Sequence, residues 1–183
     1  MELERRWAEP HRHHHDREHL TEVLAALDEL EGAGEPFDFE LVRTAAWFHD
    51  AVYDPHRDDN EERSAALAVD LLGGTSDAAE VARLVGVTRG HVVADGDPDA
   101  AALCDADLSV LGADPERYLR YAAEVRREYA HVADADFGPA RAAILDGFLD
   151  RPYLFATPTG RTRWEAAARA NLAAEITRLR HPR

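Results

Sequence analysis

Leu41-Val42-Arg43-Thr44-Ala45-Ala46-Trp47-Phe48-His49-Asp50 is apolar around most of a helical circumference, then ends in an imidazole and a carboxylate. Leu41, Val42, Ala45, Ala46, Trp47 and Phe48 leave little of such a helix to face water, which predicts a buried helix. A buried helix needs partners, and the flanking sequence supplies them at a period of about 3.6 residues. Leu20, Val23, Leu24, Leu27 and Leu30 form one stripe. Tyr118, Tyr121, Ala122, Val125 and Tyr129 form a second, and Trp164, Ala168, Leu172, Ile176 and Leu179 a third. Stop signals separate them: Gly32 and Gly34 follow the first stripe, and Gly73-Gly74 close a helix expected over about Asn60 to Leu72. Asp97-Pro98 and Asp114-Pro115 each set a capping acid before a proline suited to the first helical position. Thr162 and Glu165 have the spacing of a capping box. No window alternates with period two. The expectation is an all-α, single-domain bundle of about eight helices spanning residues 1–183. Arg151 to Arg163 reads as a long loop, and a last helix over about 162–181 folds back on the same core.

Composition narrows the function. A chain of 183 residues can bury about 70% of its unfolded surface, enough for a core without staples. Its 21 basic residues, all arginine, face 36 acidic ones, for a net charge of −15. That field repels phosphate backbones and anionic lipid, which argues against a nucleic-acid polymer or a membrane as partner. The only cysteine is Cys104, so neither a disulfide framework nor a zinc knuckle is expected. No apolar run approaches the roughly 18 residues of a membrane span, and Met1 to Asp16 is charged throughout. A cytoplasmic protein is the resulting expectation.

Three places concentrate metal-ligand side chains. Pro10-His11-Arg12-His13-His14-His15-Asp16-Arg17-Glu18-His19 opens the first long helix, and His15 and His19, four apart, would share a face. Trp47-Phe48-His49-Asp50 ends the buried helix. Leu103-Cys104-Asp105-Ala106-Asp107-Leu108 sets two acids in an apolar frame. A buried ionised carboxylate is costly unless paired or bound to metal, so these acids call for a cation. Imidazole and carboxylate donors without thiolate suit Mn, Fe, Co, Ni or Zn. On the residues alone, His15 or His19 and Asp105 or Asp107 are all open as direct ligands.

The order His19 … His49-Asp50 … Asp107 resembles the HD superfamily of metal-dependent phosphohydrolases, an all-α fold whose four ligands read H…HD…D. The wider pattern is similar to a branch of short, predicted HD phosphohydrolases. It runs through Trp7, Pro10-His11-Arg12, His15-x-x-x-His19-Leu20, Ala45 to Asp54, Asp59-Asn60-Glu61-Glu62-x-Ser64-Ala65 and Thr88-x-x-His91. It continues through Asp105 to Gly112, Arg126-x-Glu128-Tyr129 and Glu165-x-x-x-Arg169-x-Asn171-Leu172. The chain departs from the branch at His14, usually Tyr there, and at Asp16, commonly Asn.

The resemblance implies His19, His49, Asp50 and Asp107 as ligands of one divalent transition metal per chain. His15 and Asp105 become outer partners of the ligands, and His91 either another such partner or part of a second metal site. Asp50 and Glu61 are the candidate proton-transfer residues, and Arg12 and Arg126 the candidate phosphate contacts. The implied activity is hydrolysis of a small phosphorylated compound, nucleotides included, by metal-activated water. Two rivals are a di-iron oxygenase on the same fold, which needs His91 and a further ligand, and a non-catalytic metal- or ligand-binding regulatory module.

Overall fold

The computed structural model describes residues 2–73 and 75–181. Among them are ten α-helices, one 3₁₀ turn and no strand. In chain order the helices are α1 (Glu2–Arg6), α2 (Arg17–Gly32), α3 (Phe39–Phe48), α4 (Asn60–Leu72) and α5 (Ser76–Val87). They continue as α6 (Pro98–Leu108), the 3₁₀ turn Ser109–Gly112, α7 (Pro115–Glu128), α8 (Asp134–Leu149), α9 (Pro158–Arg163) and α10 (Glu165–Arg180). The two helices beyond the expected eight are α1 and α9, of five and six residues, too short to show a hydrophobic period.

The local signals act as their chemistry dictates. Asp97 and Asp114 accept backbone N–H bonds at the starts of α6 and α7, each ahead of its proline. Gly73 ends α4 in the left-handed conformation, φ 75°. Gly74, the other half of that expected stop, lies outside the described residues. The expected capping box at Thr162 and Glu165 does not form. Thr157 instead caps α9 through Gly160 N–H with Pro158 in the first turn, so part of the expected loop is helical. Thr162 then sits inside α9, and α10 begins at Glu165. The Glu165 carboxylate is taken by the backbone N–H groups of Leu154 and Phe155 and by Arg169.

Two apolar clusters organise the helices. The first joins α2 to α6; Val23, Leu27 and Leu30 of α2 are completely buried there, each contributing roughly 1.5–3 kcal/mol. The second joins the 3₁₀ turn, α7, α8 and α10 around Tyr118, Leu145, Phe155 and Leu172. Trp164, at the junction of α9 and α10, packs against both. Gly112 makes this possible: a Cβ there would lie 2.5 Å from Trp164 Cβ and 2.8 Å from its Cα. No helix among the described residues is long and apolar enough to cross a membrane.

Gly112→Ala therefore forces backbone apart and is expected to destabilise by about 1–3 kcal/mol in thermal or urea unfolding. Gly147→Ala, in α8 with nothing within 4 Å of the new methyl, should leave stability unchanged or raise it by up to about 1 kcal/mol. Equal effects of the two substitutions would refute the tight Gly112–Trp164 approach.

Candidate metal centre

Three helix ends deliver the four candidate ligands. Asp16 caps α2, accepting from Glu18 N–H at 2.8 Å and His19 N–H at 3.4 Å, and so sets His19 in the first turn. Asparagine would accept the same bonds. His49 is the residue on which α3 stops, with Asp50 directly after it. Asp107 stands one residue before the end of α6.

These side chains meet. His19 Nε2 lies 3.2 Å from His49 Nε2 and 3.1 Å from Asp107 Oδ1. His49 Nε2 lies 3.5 Å from Asp107 Oδ1 and 3.3 Å from Asp50 Oδ2, and Asp50 Oδ2 is 3.8 Å from His19 Nε2. The donor atoms of His19, His49 and Asp107 are all within 4.8 Å of one another, so the cluster can hold a metal ion. Both imidazoles are buried, whereas the two carboxylates keep 13% and 14% of their side-chain surface exposed, leaving the centre a route to solvent.

The donor chemistry fits a cation. A carbonyl only accepts, so the 2.7 Å contact between His49 Nδ1 and Ala46 O places the ring proton on Nδ1. Nε2 of His49 then points at a second imidazole and two carboxylates, a position for a proton or a metal ion. Without a positive charge between them their lone pairs repel. For bonds of about 2.1 Å, adjacent donors around one ion stand about 3.0–3.4 Å apart, close to most of the separations seen here. Burial opposes charge on His49, but Asp50 and Asp107 outweigh it and raise its pKa well above the ordinary value. Burial likewise opposes ionisation of Asp50 and Asp107, yet His49 above all holds both carboxyls below their usual range.

Two of the outer residues point at the centre. His91 Nε2 sits 2.7 Å from Asp107 Oδ2, fixing that carboxylate while its other oxygen faces the imidazoles. His91 adopts φ 49°, a left-handed conformation for a non-glycine residue. Glu61, in the first turn of α4, is half-buried, and its carboxyl is raised by burial and then by the charge of Asp50.

Other expectations are corrected. His15 does not share a helical face with His19, because Asp16 is extended and α2 starts only at Arg17. The His15 ring instead stacks on Tyr53 at 4.2 Å and its Nδ1 meets Glu128 Oε2 at 2.7 Å. Asp105 and Asp107, two residues apart on a helix, point about 200° apart. Asp105 consequently faces away from the cluster and accepts from Ala156 N–H, Thr157 N–H and Thr157 Oγ1. Burial pushes its carboxyl up to about 6 against those bonds.

Arg12 is buried and fully occupied. Its guanidinium donates to Glu9 and to the carbonyls of His15, Asp50 and Ala51, so it clamps the ligand loops rather than offering a fork to phosphate. Arg126 closes the end of α7, bonding Tyr129 O, Val132 O and Asp134 and lying over Phe137 at 4.6 Å. Neither arginine faces the cluster as a free cation.

Sequence reasoning picked the arginine of Arg126-x-Glu128-Tyr129 where the glutamate is the decisive residue. Glu128 Oε1 accepts from the backbone N–H groups of His13, His14 and His15 at 2.8, 2.8 and 3.0 Å. Its Oε2 takes His15 Nδ1 and the Tyr53 hydroxyl. Trp7, completely buried, donates from Nε1 to Trp47 O and packs 5.4 Å from the His49 ring. His14 is buried against His15, His19 and Tyr121; burial, then the charges of its neighbours, lower its pKa well below the usual value. No family model matches the chain, and no match was found among curated proteins or solved structures.

The Glu128 carboxyl yields a signed pH dependence. Burial raises its pKa, but the His15 bond, the His15 charge and the backbone N–H groups prevail and hold it down to about 2, from 4.5. That depression corresponds to roughly 3 kcal/mol of stability, present above pH about 4.5 and lost as pH falls toward 2. Glu128→Gln brings an amide N–H₂ up against donors and should destabilise by about 2–3 kcal/mol at neutral pH. Its unfolding free energy should also vary less between pH 4.5 and 2 than that of the parent. An unaltered slope in that window would show that Glu128 does not carry this charge.

Proposed function

We propose that this chain is a metal-dependent phosphohydrolase acting on the phosphate ester of a small molecule, with nucleotides among the candidate substrates. The observation that carries the reading is the meeting of His19, His49, Asp50 and Asp107 at one point. Their order along the chain resembles the ligand order of the HD superfamily, and imidazole with carboxylate is the donor set for Mn, Fe, Co, Ni or Zn. The hydrogen bond that already occupies His91 Nε2 favours one ion over two.

A divalent ion bound there supplies Lewis acidity toward a phosphoryl oxygen and lowers the pKa of water at the site. His49 offers its Nε2 lone pair because its Nδ1–H is committed to Ala46 O. Asp107 is held for the same task by His91. Asp50, on the ligand point, accepts the proton of the attacking water. Glu61, in the first turn of α4 with its carboxyl raised by burial and by Asp50, is the residue we assign to proton transfer at the leaving oxygen. Burial disfavours the charged form of His15, but Glu128 and Asp50 reverse that and raise its pKa. The net charge of −15 supports a small substrate over a nucleic-acid polymer.

Protein purified without added metal should contain about one transition ion per chain, and phosphate monoesters should be cleaved in a screen over Mn, Co, Ni and Mg. His49→Ala and Asp50→Ala should each lose metal and lower turnover at least 100-fold while circular dichroism stays helical. Unchanged metal content in both variants would overturn the site. Two irons per chain with O₂ consumption and no phosphate release would overturn the reaction in favour of an oxygenase.

A further inference from the structure

A second site emerges from charges that the metal centre does not use. Between the N-terminal segment, the loop after α3, the first turns of α4 and the end of α7 lies a cleft of about 610 Å³. Its walls carry Arg6, Arg63 and Arg127. Four of the chain's ten histidines, His11, His13, His56 and His131, line the same cleft. In a chain of net charge −15 this is a local concentration of cationic and N–H-bearing side chains against the overall field.

Three acids, Glu9, Asp54 and Glu128, balance the three arginines in the walls, but each already has partners within the chain. Glu9 is paired with Arg12, Asp54 accepts the His56 backbone N–H, and Glu128 is saturated by its five donors. Arg6 is spent on Glu2. Arg63 and Arg127 are not: among the described residues neither guanidinium has a hydrogen bond or an ion pair within 4 Å, whereas most arginines of this chain have one or both. In the same cleft the rings of His56 and His131 meet at 3.9 Å, tilted 33° to each other, and His131 lies 5.9 Å from the Tyr129 ring. A metal ion is a poor match, because the one group of three or more ligand atoms within 4.8 Å among the described residues is His19, His49 and Asp107.

We infer that this cleft is a binding site for a small phosphate-bearing anion, gripped by Arg63 and Arg127 with the histidines as further hydrogen-bond partners. Guanidinium forks match phosphate oxygens in pairs, and the volume falls within the roughly 300–1,000 Å³ typical of small-molecule sites. The site is separate from the metal centre, walled off by Tyr53 and Glu128, and the inference stands whether or not the phosphohydrolase reading does.

Calorimetric titration of the full chain with inorganic pyrophosphate tests it. Saturable binding at one site per chain is expected, weakened at least tenfold by the double substitution Arg63→Glu with Arg127→Glu. Arg43→Glu with Arg178→Glu changes the net charge equally on exposed positions outside the cleft and should leave binding intact. His49→Ala should bind pyrophosphate as the parent does. Absence of saturable binding, equal weakening by the two double substitutions, or loss of binding in His49→Ala would each overturn the inference. Unchanged thermal unfolding of the Arg63/Arg127 variant shows that its loss of binding is not a loss of fold.

Discussion

Glu128 sits at the end of α7 with none of its side chain exposed, and its two oxygens accept five hydrogen bonds. Three come from consecutive backbone N–H groups of residues 13–15, one from the His15 ring and one from the Tyr53 hydroxyl. A buried carboxylate is tolerable only when satisfied in this way. In return it ties three parts of the chain that share no secondary structure. These are the entry to α2, the loop after the buried helix α3, and α7. The cluster that can hold a metal ion needs the first two in register, because His19 rides on one and His49 and Asp50 on the other.

Arg12 makes the complementary bond with opposite sign. Glu128 collects N–H groups; Arg12 collects the carbonyls of His15, Asp50 and Ala51. Together they satisfy the backbone of both ligand loops without regular structure. Trp7 closes the arrangement from the side of α3 through Trp47 O. The charges of Arg12 and Glu128 are thus consumed in holding these loops, and the His15 ring is strapped to Glu128. His91 does for Asp107 what these residues do for the others, fixing one carboxylate oxygen so that the second is aimed.

The same economy runs through the surface. Most arginines are engaged by carboxylates or carbonyls of the chain itself, as Arg117 is by Glu22 and Arg141 by Glu175. What is left over among the described residues is an excess of acids outward, an inward-facing group of donors that fits a cation, and a few arginines without hydrogen bonds or ion pairs, two of which share one cleft. Such a distribution favours small ligands at defined points over extended polyanionic surfaces.

Helical character was legible because periodicity and capping are local: Asp97-Pro98 and Asp114-Pro115 start helices wherever the rest of the chain lies. The placing of His49 at the buried end of an apolar helix was legible too, whereas the order His19 … His49-Asp50 … Asp107 was read through a resemblance. Residue types and spacing left neighbours of like chemistry open; the resemblance favoured His19 and Asp107, and the fold supplies the physical reason. His19 rather than His15 faces the cluster because the helix begins only at Arg17, and Asp107 rather than Asp105 because one helical face looks inward and the other meets Thr157. The roles of Arg12 and Glu128 were likewise hidden, since a charged residue in a string of letters does not reveal whether it will meet water, a ligand or the backbone of a segment 38 or 115 positions away.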